Sequence, residues 1–299
     1  MLYRGPIAPG PATSGGGNTS LEFNGLLGGA NENGTTLVAT LGGDVTLGAD
    51  NITDRVRVEL TSLTQAANIG NGDFTIEIWL RPRSSTYNQG PATTTGSGTA
   101  GGTSGNVFFD RDYLPSTSGI GFGLSLAGGR VTWWGGGRTV TGTTDIRDDQ
   151  WHFVQVLRDA TNGTITIRVD GTQEASDNQG STYQGDWRYD PASPGTTGPA
   201  TYSNPYMVFG AEKHDYDPGS TSSDNPSYHG YIADIRISNN LRSNSVPTSE
   251  LTIDSNTVWA SDIPNSSGTT LNDRSGNSAN GVLELSSESF PKFSSLTPY

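Results

Sequence analysis

The chain has 299 residues, a formal net charge of −13, a sequence pI of about 4.5 and no cysteine. An acidic surface disfavours nucleic acid as a partner, and the lack of cysteine excludes disulfide bonds and thiolate zinc sites. No stretch is apolar enough to cross a bilayer, so we expect no membrane span. The 41 glycines, with no amphipathic helical run, favour short strands joined by many turns.

Residues 1–19 are rich in Gly, Pro and Ser and predict an extended N-terminal arm. The arm is either a disordered tail or a segment that docks on a neighbouring subunit, because Pro-rich arms lose little entropy on docking. The sequence shows no apolar core of a signal peptide. If Met1 is the native start, we expect synthesis in a cytoplasm and release by lysis; a mature fragment is the alternative.

Strands are expected around residues 21–23, 36–41 and 56–60, with another at 74–81, where every second residue is apolar. In that last strand Trp79 falls on the face opposite the core, so a loop or a partner has to cover it. Residues 84–106 are almost wholly Thr, Ser, Gly and Asn. They predict a mobile loop, with a subunit contact as the alternative.

Further strands are predicted at 107–109, 120–126 and 131–134. Gly121 and Gly123 share one face of the second of these, so a flat group such as a sugar, an aromatic ring or another backbone can approach closely. Adjacent Trp133 and Trp134 must point to opposite faces of their strand. Core packing therefore explains only one of them, and the other needs an exposed, loop-covered or interface position.

The next part of the chain predicts a meander. Residues 147–159 and 164–171 read as two strands joined by an Asn162-Gly163 turn, and Asp170-Gly171 reads as a second tight turn. Residues 177–206 form a polar insertion. Later strands are expected at 207–210 and 228–238, where we place Tyr231, Ala233, Ile235 and Ile237 on one face.

Five groups of residues along the chain resemble, in order, the signature segments of laminin-G-like or concanavalin-A-like jelly-roll modules. They are residues 20–25, 73–82, 149–154 with 169–171, 209–212 and 228–238. The resemblance implies an all-β fold, an antiparallel jelly-roll β-sandwich with long loops and N- and C-terminal extensions. We therefore expect an arm at 1–19, a sandwich at 20–245, and an extension at 246–299 that packs on the sandwich or on a neighbour.

The extension carries two segments, 252–259 and 273–277, that resemble a region trailing such modules in virion and other microbial surface proteins. The resemblance also makes hydrolysis a function to consider, because the family includes glucanases. Retaining hydrolysis needs two carboxyl groups roughly 5 Å apart. The family's Glu-x-Asp-x-x-Glu or Glu-x-Asp-x-Glu pattern does not occur, and Glu77 has no acidic partner on its strand face. His152 is expected to be a packed or hydrogen-bonded residue, so we predict no catalytic residue.

Calcium is the one cofactor that the resemblance implies, since relatives often hold Ca²⁺ with Asp side chains and loop carbonyls. Solvated loop acids are the alternative for the same residues. The candidate ligands are Asp110, Asp112, Asp215, Asp217 and Asp224.

Glycan binding would use aromatic side chains beside polar groups in a shallow groove. Packing between subunits is the alternative for these aromatics. The candidates are Trp133, Trp134, Tyr183, Trp187, Tyr189, Tyr216 and Tyr228.

These observations favour a non-enzymatic virion structural protein, a phage capsid decoration or a fibre or tail adhesin, that presents a lectin-like jelly roll. Its expected partners are other virion proteins or copies of itself, and a host-surface glycan. The expected location is the virion, with an extracellular or cell-surface site as the alternative. A free carbohydrate-binding module for surface polysaccharide is the second hypothesis, and a polysaccharide hydrolase is the least favoured.

Overall fold

The computed structural model describes residues 19–24, 55–111, 121–189, 205–211, 213, 227–284 and 291–299. Its strands form two layers, and the ladders between the described strands are antiparallel. The first layer contains, in spatial order, β11 (Thr172–Asn178), β10 (Thr164–Val169), β9 (His152–Asp159), β3 (Phe74–Pro82), β13 (His229–Ser238), β1 (Ser20–Asn24) and β17 (Lys292–Ser294). The predicted strand at 36–41 lies outside the described residues.

The second layer lies across the core from the first. In spatial order it contains β4 (Gly96–Ser97), β8 (Arg138–Thr141), β7 (Arg130–Gly135), β6 (Phe122–Ala127), β5 (Asn106–Arg111), β12 (Tyr206–Phe209), β2 (Arg55–Glu59), β16 (Gly281–Glu284) and β15 (Thr270–Asp273). Two single-turn helices, α1 (Ala100–Thr103) and α2 (Ser181–Gln184), accompany the strands. None of the described helices reaches the length and apolarity of a bilayer span.

Strand β14 (Thr257–Ser267) joins the two layers. Its first residues pair with β13 and its later residues pair with β15, so the strands form one continuous sheet folded on itself. The apolar faces meet inside: the rings of Phe74 and Phe122, from opposite layers, stack with their centroids 5.2 Å apart. The predicted all-β jelly-roll sandwich is confirmed.

Residues 246–299, predicted as an extension, supply strands β14 to β17. Besides the β13–β14 ladder, β16 pairs with β2 and β17 pairs with β1, so this part of the chain completes both layers. The 273–277 segment is a turn held against β14: Asp273 accepts the backbone N–H groups of Ala260, Ser275 and Ala279. Carboxylate oxygens that cap several backbone donors fix such a turn.

A β-bulge interrupts β13, and the predicted alternation there is wrong. The register against β3 shifts between Ala233 and Arg236, and Asp234 has a positive φ of 41°. Because the extra residue reverses the order of faces, Ile235 and Ile237 enter the main core, whereas Ala233 lies on the outer face. Asp234 is thereby directed to the outer side of the first layer.

Part of the segment 84–106, which we predicted to be a mobile loop, packs on the second layer. Helix α1 covers Trp134, and a β-carbon at Gly102 would overlap the indole. The ring of Trp134 also lies so close to Gly123 that no side chain fits at this position. The flat group that we expected on the glycine face of this strand is therefore the Trp134 indole. Among the predicted alternatives for Trp134, the loop-covered position is the one observed.

Strand β9 is fixed at its C-terminal end by the buried guanidinium of Arg158. It donates to the backbone carbonyls of Gly70 (2.7 Å), Gly72 (2.9 Å), Tyr183 (2.8 Å) and Gly185. The guanidinium also stacks on Trp187, 4.2 Å from the ring centroid. Burial lowers the pKa of Arg158 to about 10, which leaves it charged at neutral pH. One side chain therefore ties two connecting segments to the sandwich.

Replacing Arg158 tests this anchor. Arg158→Met removes a donor from four carbonyl oxygens, of which Gly70 keeps the Trp187 N–H, so we expect the free energy of unfolding to fall by about 3 kcal/mol in a urea titration. Arg168→Met is the matched control, since Arg168 lies on the outer side of β10 and donates to the Arg242 carbonyl. We expect a loss below about 1 kcal/mol there. Equal losses of unfolding free energy for the two variants would contradict the role of Arg158 as an anchor.

The N-terminal end of β9 is held by His152. Its Nδ1 lies 2.8 Å from Asp170 Oδ2 and its Nε2 lies 3.1 Å from Asp148 Oδ1, so the ring bridges two loops. Burial lowers the pKa of His152, but the hydrogen bonds and charges of the two carboxylates outweigh burial and raise the pKa above its ordinary value. His152 is thus the hydrogen-bonded residue that we predicted.

This bridge makes stability depend on pH. The folded chain holds the His152 proton more tightly than the unfolded chain, so the contribution is complete below about pH 6.5 and disappears as pH rises through the raised folded pKa. We expect His152→Gln to cost more unfolding free energy at pH 5.5 than at pH 8.5, by urea titration at both pH values. A difference between variant and wild type that does not change with pH would contradict the bridge.

Candidate functional site

The aromatic residues predicted to bind glycan are buried where the structure describes them. Trp133 packs in the core against Tyr183 and Trp187, with ring centroids 5.3 and 5.9 Å away. The six described candidates are each at most 3% exposed: Trp133, Trp134, Tyr183, Trp187, Tyr189 and Tyr228. A sugar needs an open ring face, so these six side chains serve packing in this structure. Tyr216 lies outside the described residues.

Of the five acids predicted to hold calcium, the structure describes only Asp110. Its side chain is fully buried, and its Oδ2 accepts the backbone N–H of Lys213 at 2.7 Å. No group of three or more His, Cys, Asp or Glu residues suited to a metal ion occurs in the described part of the chain. Calcium binding by these acids therefore stays a prediction. Asp112, Asp215, Asp217 and Asp224 lie outside the described residues.

Much of the outer face of the first layer is covered by residues 239–256, which we call the strap. Glu77, on this face, binds Arg236 Nε at 2.5 Å and accepts Gln155 Nε2 at 3.0 Å. The strap supplies backbone carbonyls to the same face: Arg236 donates to Thr252 at 2.6 Å. The Glu77 carboxylate is 2% exposed, so a substrate cannot reach it.

Trp79, which we expected to need a cover, is 6% exposed. Its ring packs against Phe153, with centroids 5.3 Å apart, and against Tyr299, 6.2 Å away. Leu251 of the strap belongs to the same small cluster. The cover is thus a loop of the chain itself together with its last described residues.

Beyond the strap, the outer face of the first layer carries a line of side chains that crosses four strands. The ladders place Arg81 opposite Tyr231, Tyr231 opposite Glu22, and Glu22 opposite Lys292. Trp151 precedes β9 and stands beside this line, with its ring centroid 6.4 Å from that of Tyr231. We call these five residues the aromatic–cation row.

Ion pairs and ring contacts hold the aromatic–cation row in place. The guanidinium of Arg81 lies 5.6 Å from the Tyr231 ring centroid. Glu22 accepts Arg83 Nη2 and the Tyr231 hydroxyl, each at 3.0 Å, and pairs with Lys292 Nζ at 3.3 Å. Burial first, and then the charge of Glu22, raise the pKa of Tyr231 to about 12, so its hydroxyl keeps its proton at neutral pH.

The aromatic–cation row is partly open to solvent. The side chain of Lys292 is 41% exposed and that of Arg81 is 25% exposed, while Trp151 is only partly buried. The row therefore offers a partly exposed indole beside fixed donors and acceptors. That combination suits a ligand that has both an apolar face and several hydroxyl groups.

Alternation along β3 placed Trp79 and Arg81 outside, so part of this surface follows from the sequence. The same period in β9 could have placed Trp151 there as well. The contribution of Glu22 and Lys292 depends on which strands pair with β13, and a single sequence gives no signal for such long-range pairing.

Residues 57–193 match the family model described as the Concanavalin A-like lectin/glucanases superfamily. No curated protein matches the chain significantly. The matched residues include Arg81 and Trp151, whereas Glu22, Tyr231 and Lys292 lie outside them.

Several solved structures are similar to this one. A Bacteroides ovatus protein with a proposed carbohydrate-binding role is 14% identical, with a TM-score of 0.47; the match covers 89% of this chain and 58% of that chain. Mouse laminin alpha1 domains LG4-5 are 12% identical (TM-score 0.41; 84% of this chain and 50% of that one). The CBM40 of a Ruminococcus gnavus IT-sialidase is 12% identical (TM-score 0.40; 75% and 92%). The sequence match thus relates residues 57–193 to the lectin/glucanase superfamily.

Proposed function

We propose that the chain is a lectin-like, non-enzymatic module that binds carbohydrate on the aromatic–cation row. The observation that carries the proposal is the row itself: a partly exposed indole and fixed polar groups lie on the open part of a sheet face that the strap otherwise covers. A pyranose presents C–H groups that pack on an aromatic ring and hydroxyl groups that bind Arg, Glu and Lys. The superfamily match over residues 57–193 is in keeping with this role.

The proposal excludes catalysis by Glu77. A nucleophile or general acid has to reach the scissile bond. The buried Glu77 carboxylate is instead occupied by Arg236 and Gln155. Binding without turnover is the expected behaviour, so a polysaccharide that binds the chain should release no reducing sugar during long incubation.

Truncation of the indole tests the row. On a glycan array, followed by calorimetry with the best ligand, we expect Trp151→Ala to weaken binding by about tenfold, since the stacking surface is lost. Arg81→Met should weaken it by a similar factor through lost hydrogen bonds. Val282→Ala is the control, because Val282 is an exposed apolar residue on β16 of the second layer.

Thermal unfolding of each variant separates a binding defect from a folding defect. Variants that fold like the wild type and bind the same glycan with unchanged affinity would contradict the row as the site. An array on which the wild type binds no glycan would contradict the proposed function as a whole.

We further propose that this module belongs to a virion structural protein, as a capsid decoration or a fibre or tail adhesin. The proposal rests on the sequence: the arm at 1–19, the lack of cysteine, and the 273–277 segment that resembles regions trailing such modules in virion proteins. An extracellular or cell-surface location is the alternative. In either setting the row would meet a surface polysaccharide.

Deleting residues 1–19 tests the virion setting. If the arm docks on particle neighbours, the shortened chain should be lost from purified particles while its glycan binding is retained. Particle incorporation is measured by quantitative gel analysis of the purified particles. Unchanged incorporation would remove the proposed role of the arm.

A further inference from the structure

A pocket of about 220 Å³ opens on the edge of β13 where this strand changes partners. β13 pairs with β1 through residues 229–232 and with β14 through residues 236–238. Neither ladder includes residues 233–235, which contain the bulge. The pocket fills this gap, and its lining includes Asp234, Glu250, Ser261, Ile263, Pro264 and Tyr299. All of these residues lie outside the segment that matches the lectin/glucanase superfamily.

Asp234 is fixed at the inner side of the pocket. Its carboxylate accepts Arg274 Nη2 at 2.5 Å, the Leu251 backbone N–H at 2.6 Å and the Tyr299 hydroxyl at 2.7 Å. The side chain is 4% exposed, and the backbone has a left-handed φ of 41°. A non-glycine residue held in this conformation costs about 1 kcal/mol, so the surrounding contacts enforce the position.

The charges around the pocket do not cancel. Arg274 serves two carboxylates, since its Nη1 also lies 3.2 Å from Glu250 Oε2. A second cation, Arg236 on β13, is paired with Glu77. Asp234, Glu250 and Arg274 together carry one net negative charge at neutral pH. Glu250 is 49% exposed, and Arg274 keeps its bond to Asp234 when the Glu250 carboxylate turns towards a ligand.

The rest of the lining is aromatic and apolar. Tyr299 is 43% exposed, and one edge of its ring rests on Trp79. Ile263 and Pro264 supply apolar surface, and the Ser261 hydroxyl accepts the Ile235 backbone N–H at 3.0 Å. An aromatic ring beside a carboxylate attracts an ammonium group through cation–π and ionic contacts together. The volume is below the roughly 300 Å³ of the smallest pockets for drug-sized ligands, so the occupant has to be small.

We propose that this pocket binds a small primary ammonium ion, with the cation on the exposed side of the Glu250 carboxylate and its carbon chain against Tyr299, Ile263 and Pro264. The ammonium group belongs either to a free alkylamine or to an amino sugar. The site is separate from the aromatic–cation row and does not depend on the proposed glycan binding there.

The test is an NMR titration of the full chain with propylammonium chloride, with glucosamine in a parallel titration. We expect saturable shifts of the Leu251 and Tyr299 amide signals with one or both amines. 1-Propanol and N-acetylglucosamine, which lack the cation, should give none. Binding by propylammonium alone identifies a free-amine site, and binding by glucosamine alone identifies an amino-sugar site.

Matched variants keep the charge argument separate from folding. Glu250→Gln should weaken amine binding by about fivefold. Asp186→Asn is its control, because Asp186 is 51% exposed and paired with Arg188, and it changes the net charge equally. Tyr299→Phe and Tyr299→Leu both lose the hydroxyl bond to Asp234, but only the Leu variant loses the ring, so it should bind about threefold more weakly.

The proposal fails if neither amine gives saturable shifts, or if 1-propanol and propylammonium bind alike. It also fails if Glu250→Gln and Asp186→Asn bind the amine as the wild type does. Glycan-array binding by these variants should be unchanged, since the row keeps all its residues. The outcome for the pocket is therefore distinguishable from the outcome for the row.

Discussion

The bulge in β13 is the constraint on which the outer surface of this protein depends. One extra residue between Ala233 and Arg236 lets Ile232 and Ile235 both enter the core, although an unbroken strand would put them on opposite faces. The bulge also directs the Asp234 carboxylate outwards, where it accepts hydrogen bonds from Arg274 and from the backbone N–H of Leu251. These two bonds fix the turn after β15 and the end of the strap. The strap is also held by bonds from Thr75, Gln155 and Arg168 to its backbone carbonyls.

The chain covers the outer faces of both layers largely with its own loops. On the second layer, glycines at 102 and 123 allow α1 and Trp134 to lie flat on the sheet. On the first layer, the strap and Tyr299 enclose Trp79, and polar residues such as Glu77 are buried in ion pairs instead of facing water. A hydrophobic content of 31% is enough to hold the loops in place, because buried arginines such as Arg158 donate hydrogen bonds that tie these loops to the sandwich. The aromatic–cation row lies on a part of the first layer that these loops leave open, which is why we propose recognition there.

Local patterns in the sequence predict much of the fold. Two-residue alternation identifies the strands around Ile76 and Ile167, and Gly163 and Asp170 take the positive φ values expected of their turns. Long-range effects account for the errors. No local signal marks the bulge at Asp234, and the burial of Trp133 and Trp187 depends on an insertion that folds back over distant strands. The row draws on β1, β3, β13 and β17, whose pairing one sequence does not reveal.

The central claim is that this module recognises its partner through the uncovered part of the first layer. Hydrogen–deuterium exchange of the full chain, with and without the glycan that binds it, tests this claim most directly. We predict that the glycan slows exchange in residues 79–83, 149–153 and 229–232, which carry or flank the row, and leaves residues 122–135 of the second layer unchanged. Slower exchange in residues 122–135 with none in the row would contradict the account.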